Sequence, residues 1–177
     1  MFKPVLLTLT ILLSISLNAQ NDEHEEPFYR HRIAPLMGYV FVPEETDLID
    51  GSSFRLIPTF GIDYDFSFNR KWAIGWFNDI EASSYIIEYD DGKVEQLERE
   101  YLIISTICLI YTPVKHFTVY AGGGMEFERH QNFAVIRIGT EYEIPIRNNW
   151  DVAFGLSFDH KEVYNSYGFT VAFGKRF

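Results

Sequence analysis

From Ile33 to the last residue the chain repeats one device, in which large apolar residues alternate with small or polar ones. Phe60, Ile62, Tyr64, Phe66 and Phe68 are interleaved with Gly61, Asp63, Asp65 and Ser67. Near the C-terminus Tyr167, Phe169, Val171, Phe173 and Phe177 are interleaved with Gly168, Thr170, Ala172, Gly174 and Arg176. A period of two puts successive side chains on opposite faces of a β-strand. Eight segments carry this strand character: 33–42, 53–68, 71–89, 100–112, 116–128, 133–144, 149–160 and 167–177. No helical periodicity competes with them, so the expected class is all-β.

The connections alternate between two kinds. Asn69-Arg70, Pro113-Val114-Lys115 and the run from Pro145 to Asn149 are tight and mostly basic, whereas VPEETDLIDGS and EYDDGKVEQLERE are long and acidic, followed by the shorter ERHQN and DHKEVYNS. Strict short-long alternation predicts an antiparallel up-and-down meander closed into an eight-stranded barrel, with both chain ends on the short-turn rim. Which face meets water is a separate question, because a soluble ligand-binding barrel alternates too, with its apolar face inward. The aromatics decide it. Phe68 and Trp72 flank the first tight turn, Tyr111 and Phe117 the second, Tyr142 and Trp150 the third, and Phe177 ends the chain on the same rim. That is the girdle of a transmembrane β-barrel. The opposite face, with Gly122, Gly124, Gly139 and Gly155 among acids, suits a cramped polar lumen rather than open water. A soluble periplasmic ligand-binding barrel remains the alternative for this pattern.

The first segment, MFKPVLLTLTILLSISLNAQ, has a different logic: Lys3, an apolar run from Pro4 to Leu17 and a small residue at Ala19. It reads as a cleaved export signal over 1–19, followed by a polar leader over 20–31 and the barrel over 32–177. The formal net charge of −10 becomes −11 when Lys3 leaves. Cys108 is the single cysteine, so neither an intramolecular disulfide nor a cysteine metal cluster can form, and its expected role is a small packed strand residue. After residue 20 no apolar run approaches the roughly 18 residues of a spanning helix.

The hairpins FSFNRKWAIGW, YTPVKHFTVYAGGG and EIPIRNNWDVAFG and the terminal YGFTVAFGKRF, together with the export signal, resemble the small eight-stranded outer-membrane β-barrels of Gram-negative bacteria, the OmpA/OmpX type in its broad sense. The resemblance implies an outer-membrane location among lipid and lipopolysaccharide, and a C-terminal strand presented to the barrel-assembly machinery. Phe169, Val171, Phe173 and Phe177 match that assembly pattern, while Lys175 departs from it and is expected to reach the headgroups. A monomer is the favoured state.

The inward register collects Asp63, Asp65, Asp79, Glu81, Glu126, Glu141, Glu143, Asp151 and Asp159 against Arg55, Arg137 and Arg176. An eight-stranded barrel is only wide enough for side chains to fill, so these charges must pair. The expectation is a structural charge network centred on Arg137, drawing in Glu126, Glu141, Glu143, Asp63 and Asp65; a narrow pore is the sharper alternative. A lipid A-modifying enzyme is the rival class, since His160, Glu162 and Ser166 sit together and His130 lies in the neighbouring connection, but their spacing is unlike a deacylase motif. The long connections hold Asp47, Asp50, Asp90 and Asp91, candidates to bridge divalent cations without a dedicated cage. No cofactor, no metal centre and no nucleic-acid partner is expected. The sequence therefore points to a non-enzymatic outer-membrane barrel with a structural or loop-binding role.

Overall fold

The computed structural model describes residues 28–43, 54–90, 94–129 and 131–177. They form a closed barrel of β1 (His31–Pro43), β2 (Phe54–Ser67), β3 (Trp72–Asp90), β4 (Val94–Val114), β5 (Phe117–Phe127), β6 (Phe133–Pro145), β7 (Trp150–Lys161) and β8 (Asn165–Arg176). Each strand pairs antiparallel with the next, and β1 closes the ring on β8 through pairs such as Leu36 with Ala172 and Tyr39 with Phe169. The order is up-and-down throughout. No sheet edge is left unpaired by this order, which matters because an open edge cannot be satisfied in hydrocarbon.

Alternation sorts the side chains cleanly. Met37, Tyr39, Phe60, Ile62, Trp76, Ile107, Ile136, Leu156 and Phe169 are among many large apolar residues left exposed on the outside, while Ala34, Ile57, Glu81, Arg99, Leu102 and Glu126 are buried inside. A water-soluble protein does not surround itself with such a continuous apolar belt. The barrel's exterior is a lipid-facing surface. Trp72 and Tyr111 lie with ring centroids 4.5 Å apart on the girdle, and Phe68, Tyr142, Trp150 and Phe177 extend it around the short-turn rim.

One stretch differs from its sequence reading. EYDDGKVEQLERE was expected as a long acidic connection, yet β3 and β4 pair as far as Asp90 opposite Val94 and leave only 91–93 between them. An irregularity interrupts this ladder: Glu81 pairs with Leu102 and Ser84 with Glu100, so Ala82 and Ser83 lie opposite Tyr101 alone. Tyr101 takes a left-handed backbone, φ 48°. Its neighbours Arg99 and Leu102 both point into the lumen as a result, which strict alternation forbids. On the next pair, Gly122 lies so close to the backbone of Ile107 and Cys108 that a Cβ would collide with it.

Candidate functional site

The lumen is the place where the chain concentrates its chemistry, and it is built in layers. Nearest the short turns, Arg32 on β1 bridges three strands: Nη1 donates to Asp65 Oδ2 at 3.1 Å, Nη2 to Glu141 Oε1 at 3.0 Å and to Asp151 Oδ1 at 2.7 Å. Arg176 on β8 pairs with Glu143 and lies 3.4 Å from Asp151 Oδ2. Gly174 makes this possible, because a Cβ there would strike Asp151 Oδ1 and Arg32 Nε. In the middle layer Arg137 on β6 holds Asp159 with two prongs, Nε to Oδ1 and Nη2 to Oδ2, each 2.7 Å, and reaches Asp79 with Nη1.

A third layer sits toward the opposite end. Arg99 Nη2 lies 2.8 Å from Glu126 Oε1, and Lys161 Nζ lies 2.7 Å from Glu126 Oε2. Tyr164 joins them, its hydroxyl donating to Glu126 at 2.6 Å and accepting from Lys161 at 3.0 Å. The Arg99 guanidinium also lies over the Phe133 ring at 4.0 Å and donates to the Gln131 carbonyl at 2.7 Å. Arg99, Glu126 and Glu81 are wholly buried. Interlocked with these charges is an apolar plug of Val40, Val42, Ile57, Leu102, Phe133 and Tyr164. Charge and plug together fill the outer half.

The expected single network around Arg137 is therefore divided. Arg137 gathers Asp79 and Asp159; Asp65 and Glu141 belong to Arg32, Glu143 to Arg176, and Glu126 to Arg99 and Lys161. Asp63 faces the lumen between the first two layers, with a buried Oδ1 that has no hydrogen-bond partner among the described residues. Arg55, placed in the network by alternation, is exposed on β2. The bases that complete the lumen are Arg32, Arg99 and Lys161, each buried, and the sequence reading left all three out. Alternation along β1 and β7 already pointed Arg32 and Lys161 inward; Arg99 was hidden by the irregularity at Tyr101.

Between the first layer and the short turns lies an open-mouthed cavity of about 840 Å³, lined by Ser67, Trp72, Thr118, Glu143, Asp151 and Arg176 among others. Among the described residues no group of His, Cys, Asp or Glu is arranged to hold a metal ion. Cys108 is buried in the lumen beside Ala73, Phe77 and Ile110. His160 lies outside, bonded to Asn165 Oδ1 through Nδ1 at 2.7 Å, while Ser166 is buried inside. The wall of the barrel separates them, so no His-Ser dyad forms. His130, Asp47, Asp50 and Asp91 lie outside the described residues, and Asp90 ends β3.

The assembly row follows the exterior. Phe169, Phe173 and Phe177 are each about half exposed on the outer face, and Val171 stands between them, paired with Met37. Phe177 exchanges backbone hydrogen bonds with His31 at 3.0 and 3.1 Å and stacks on its ring. Lys175 does not extend away from the chain: its ammonium donates to the Asn148 carbonyl at 2.5 Å and lies 5.3 Å from the centre of the Trp150 ring.

Two solved structures share this architecture. Ail, the attachment invasion locus protein of Yersinia pestis, crystallised in complex with the heparin analogue sucrose octasulfate, superposes with a TM-score of 0.54 at 13% identity, over 85% of this chain and 100% of that one. The outer membrane protein OprG from Pseudomonas aeruginosa gives 0.53 at 12%, over 84% of this chain and 97% of its own. The chain has their barrel fold. At this identity the likeness concerns the fold alone. No protein-family model matches the chain, and no curated protein matches it.

Proposed function

We propose that the chain is a non-enzymatic outer-membrane β-barrel whose side-chain-filled lumen makes it a non-conducting scaffold for the connections at its outer rim. The observation that carries this reading is the outer half of the lumen, where the ion cluster of Arg99, Glu126 and Lys161 is interlocked with the plug of Val40, Ile57, Leu102 and Phe133. A water path would have to break both. The outer-membrane location is supported by the apolar exterior, the girdle and the export signal read in residues 1–19, and the fold likeness to two outer-membrane proteins agrees with it.

In this reading β8, with Phe169, Val171, Phe173 and Phe177 outward, is the strand offered to the assembly machinery, and the barrel's surroundings are lipid and lipopolysaccharide. Ail was crystallised with a sulfated sugar. The acidic connections of this chain argue for a different contact with anionic surroundings, through divalent cations bridged by Asp47, Asp50, Asp90 and Asp91. Separation of His160 from Ser166 across the wall weighs against the lipid-modifying enzyme. The reading is tested by membrane fractionation with a heat-dependent gel shift: the folded chain should need detergent for release and migrate faster unheated than heated. Release without detergent would overturn it in favour of a soluble barrel.

A further inference from the structure

The cavity at the short-turn end has two kinds of wall. Asp65, Glu143 and Asp151 stand on its floor, and each of these carboxylates has an arginine: Arg32 for Asp65 and Asp151, Arg176 for Glu143. Arg70, Lys71, Lys115 and His116 stand around its mouth, the first three of them exposed. The turns that carry these bases, 67–72 and 112–117, contain no Asp or Glu, and neither does the third turn, 145–150, which adds Arg147. The mouth is therefore a positive ring above a floor whose acids are paired.

The chain comes into the barrel beside this ring. Phe28 and Tyr29 line the cavity themselves. The Arg30 carbonyl accepts from the Ser67 amide at 2.7 Å, which ties the chain to the end of β2, and the Arg30 guanidinium lies over the Phe28 ring at 5.7 Å. Directly before Phe28 come Asp22, Glu23, His24, Glu25, Glu26 and Pro27, which lie outside the described residues. Of these six residues four are acids and none is a lysine or arginine. Six residues span about 20 Å when extended, enough to cross the mouth of a barrel whose interior is only wide enough for side chains.

We propose that the cavity mouth is the docking site of this chain's own acidic leader, with the carboxylates of Asp22, Glu23, Glu25 and Glu26 set against Arg70, Lys71 and Lys115. The charges are opposite, and the segment ends at the two residues that already form part of the cavity wall. An exposed ion pair is weak by itself, but a segment tethered directly to its site meets it at a high effective concentration, so several weak pairs act together. Anionic lipid headgroups would seek the same bases at the level of the girdle. The leader reaches them first because it cannot diffuse away. This inference goes beyond the scaffold role of the outer rim, and it rests on the reading of 20–31 as the start of the exported chain.

The test uses the exported chain purified from membranes and placed in phosphatidylcholine nanodiscs, where both rims are open to reagent and no lipid carries net charge; folding is checked by the heat-dependent gel shift. A water-soluble carbodiimide, which joins a carboxylate and an ammonium in contact as an amide, should link peptides containing residues 22–26 to Lys71 or Lys115. A second measurement follows the acylation rate of each lysine. With Asp22→Asn, Glu23→Gln, Glu25→Gln and Glu26→Gln together, Lys71 and Lys115 should react several-fold faster, while Lys175, which donates to the Asn148 carbonyl and is not part of the cavity wall, keeps its rate. Absence of the link in folded protein, or unchanged acylation of Lys71 and Lys115 in the neutralised variant, would overturn the docking alone. Protection of these lysines that appears only when phosphatidylglycerol is added would assign the ring to headgroups and overturn it as well. An intact mass that retains residues 1–19 would overturn the leader reading and the docking with it.

Discussion

Arg137 and Asp159 stand directly opposite each other on β6 and β7, and the guanidinium closes on the carboxylate with two bonds of 2.7 Å while its third nitrogen reaches across the lumen to Asp79. Removing the arginine alone leaves two carboxylates buried without their counter-charge. Breaking a buried pair from one side typically costs about 3–5 kcal/mol, whereas removing both sides costs much less. Arg137→Met should therefore melt markedly earlier than the intact barrel, and adding Asp159→Asn to it should recover part of the loss. Both are read from thermal melts in detergent; a double variant that falls by the sum of the two single losses would show that the pair is not coupled.

Glu126 and Glu143 offer a comparison inside one lumen. Glu126 is fully buried and takes charged partners in Arg99 and Lys161 plus the Tyr164 hydroxyl, while Glu143 pairs with Arg176 near the short-turn mouth, where the arginine side chain is 31% exposed. Water screens the second pair and not the first. Glu126→Gln should lower the melting temperature distinctly, and Glu143→Gln only slightly, its loss of stability staying within about 1 kcal/mol. Equal losses would contradict the view that the outer half is the dry one.

At the chain end, Phe177 completes the exterior row and exchanges backbone bonds with His31, whereas Lys175 is satisfied by the Asn148 carbonyl and the Trp150 face. Deleting Phe177 should reduce the amount of barrel recovered in outer membranes far more than Lys175→Tyr does. Equal recovery of the deletion and the intact chain would remove the terminal aromatic from the assembly signal.

The outer connections carry the fourth expectation. If Asp47, Asp50, Asp90 and Asp91 bridge divalent cations, amide signals from 44–50 and 88–100 should shift as Ca²⁺ rises through the millimolar range typical of open, low-rigidity sites. Signals that stay fixed would reduce these acids to a solvated rim.

The architecture was legible because two periods run through the whole chain, alternation within strands and short-long alternation between them, and lipid reinforces both by demanding a closed ring. The girdle residues Trp72, Tyr111 and Trp150 could be placed for the same reason. What failed was local. The end of EYDDGKVEQLERE has the composition of a loop, yet Val94–Val114 is one strand that carries the lumen-facing Arg99, so composition could not tell β4's outer end from a connection. Across Tyr101 the parity of the strand changes, and period-two reasoning assigns Arg99 to the wrong side. Arg32 and Lys161 fall one residue outside the strand segments 33–42 and 149–160 read from sequence, although each lies on the inward parity of its strand. Without those bases the lumen looked too acidic to close, which made Arg137 seem the one hub.

Side chains shut this lumen, and single-channel recording from the purified full chain in planar lipid bilayers reads that closure as the absence of current. With Arg99, Glu126 and Lys161 locked against Leu102 and Phe133, inserted protein should show no stepwise current above the bare bilayer across the usable voltage range. Reproducible conductance steps that scale with the amount of inserted barrel would mean that the ion cluster and plug open in the membrane, and the scaffold reading would give way to a pore.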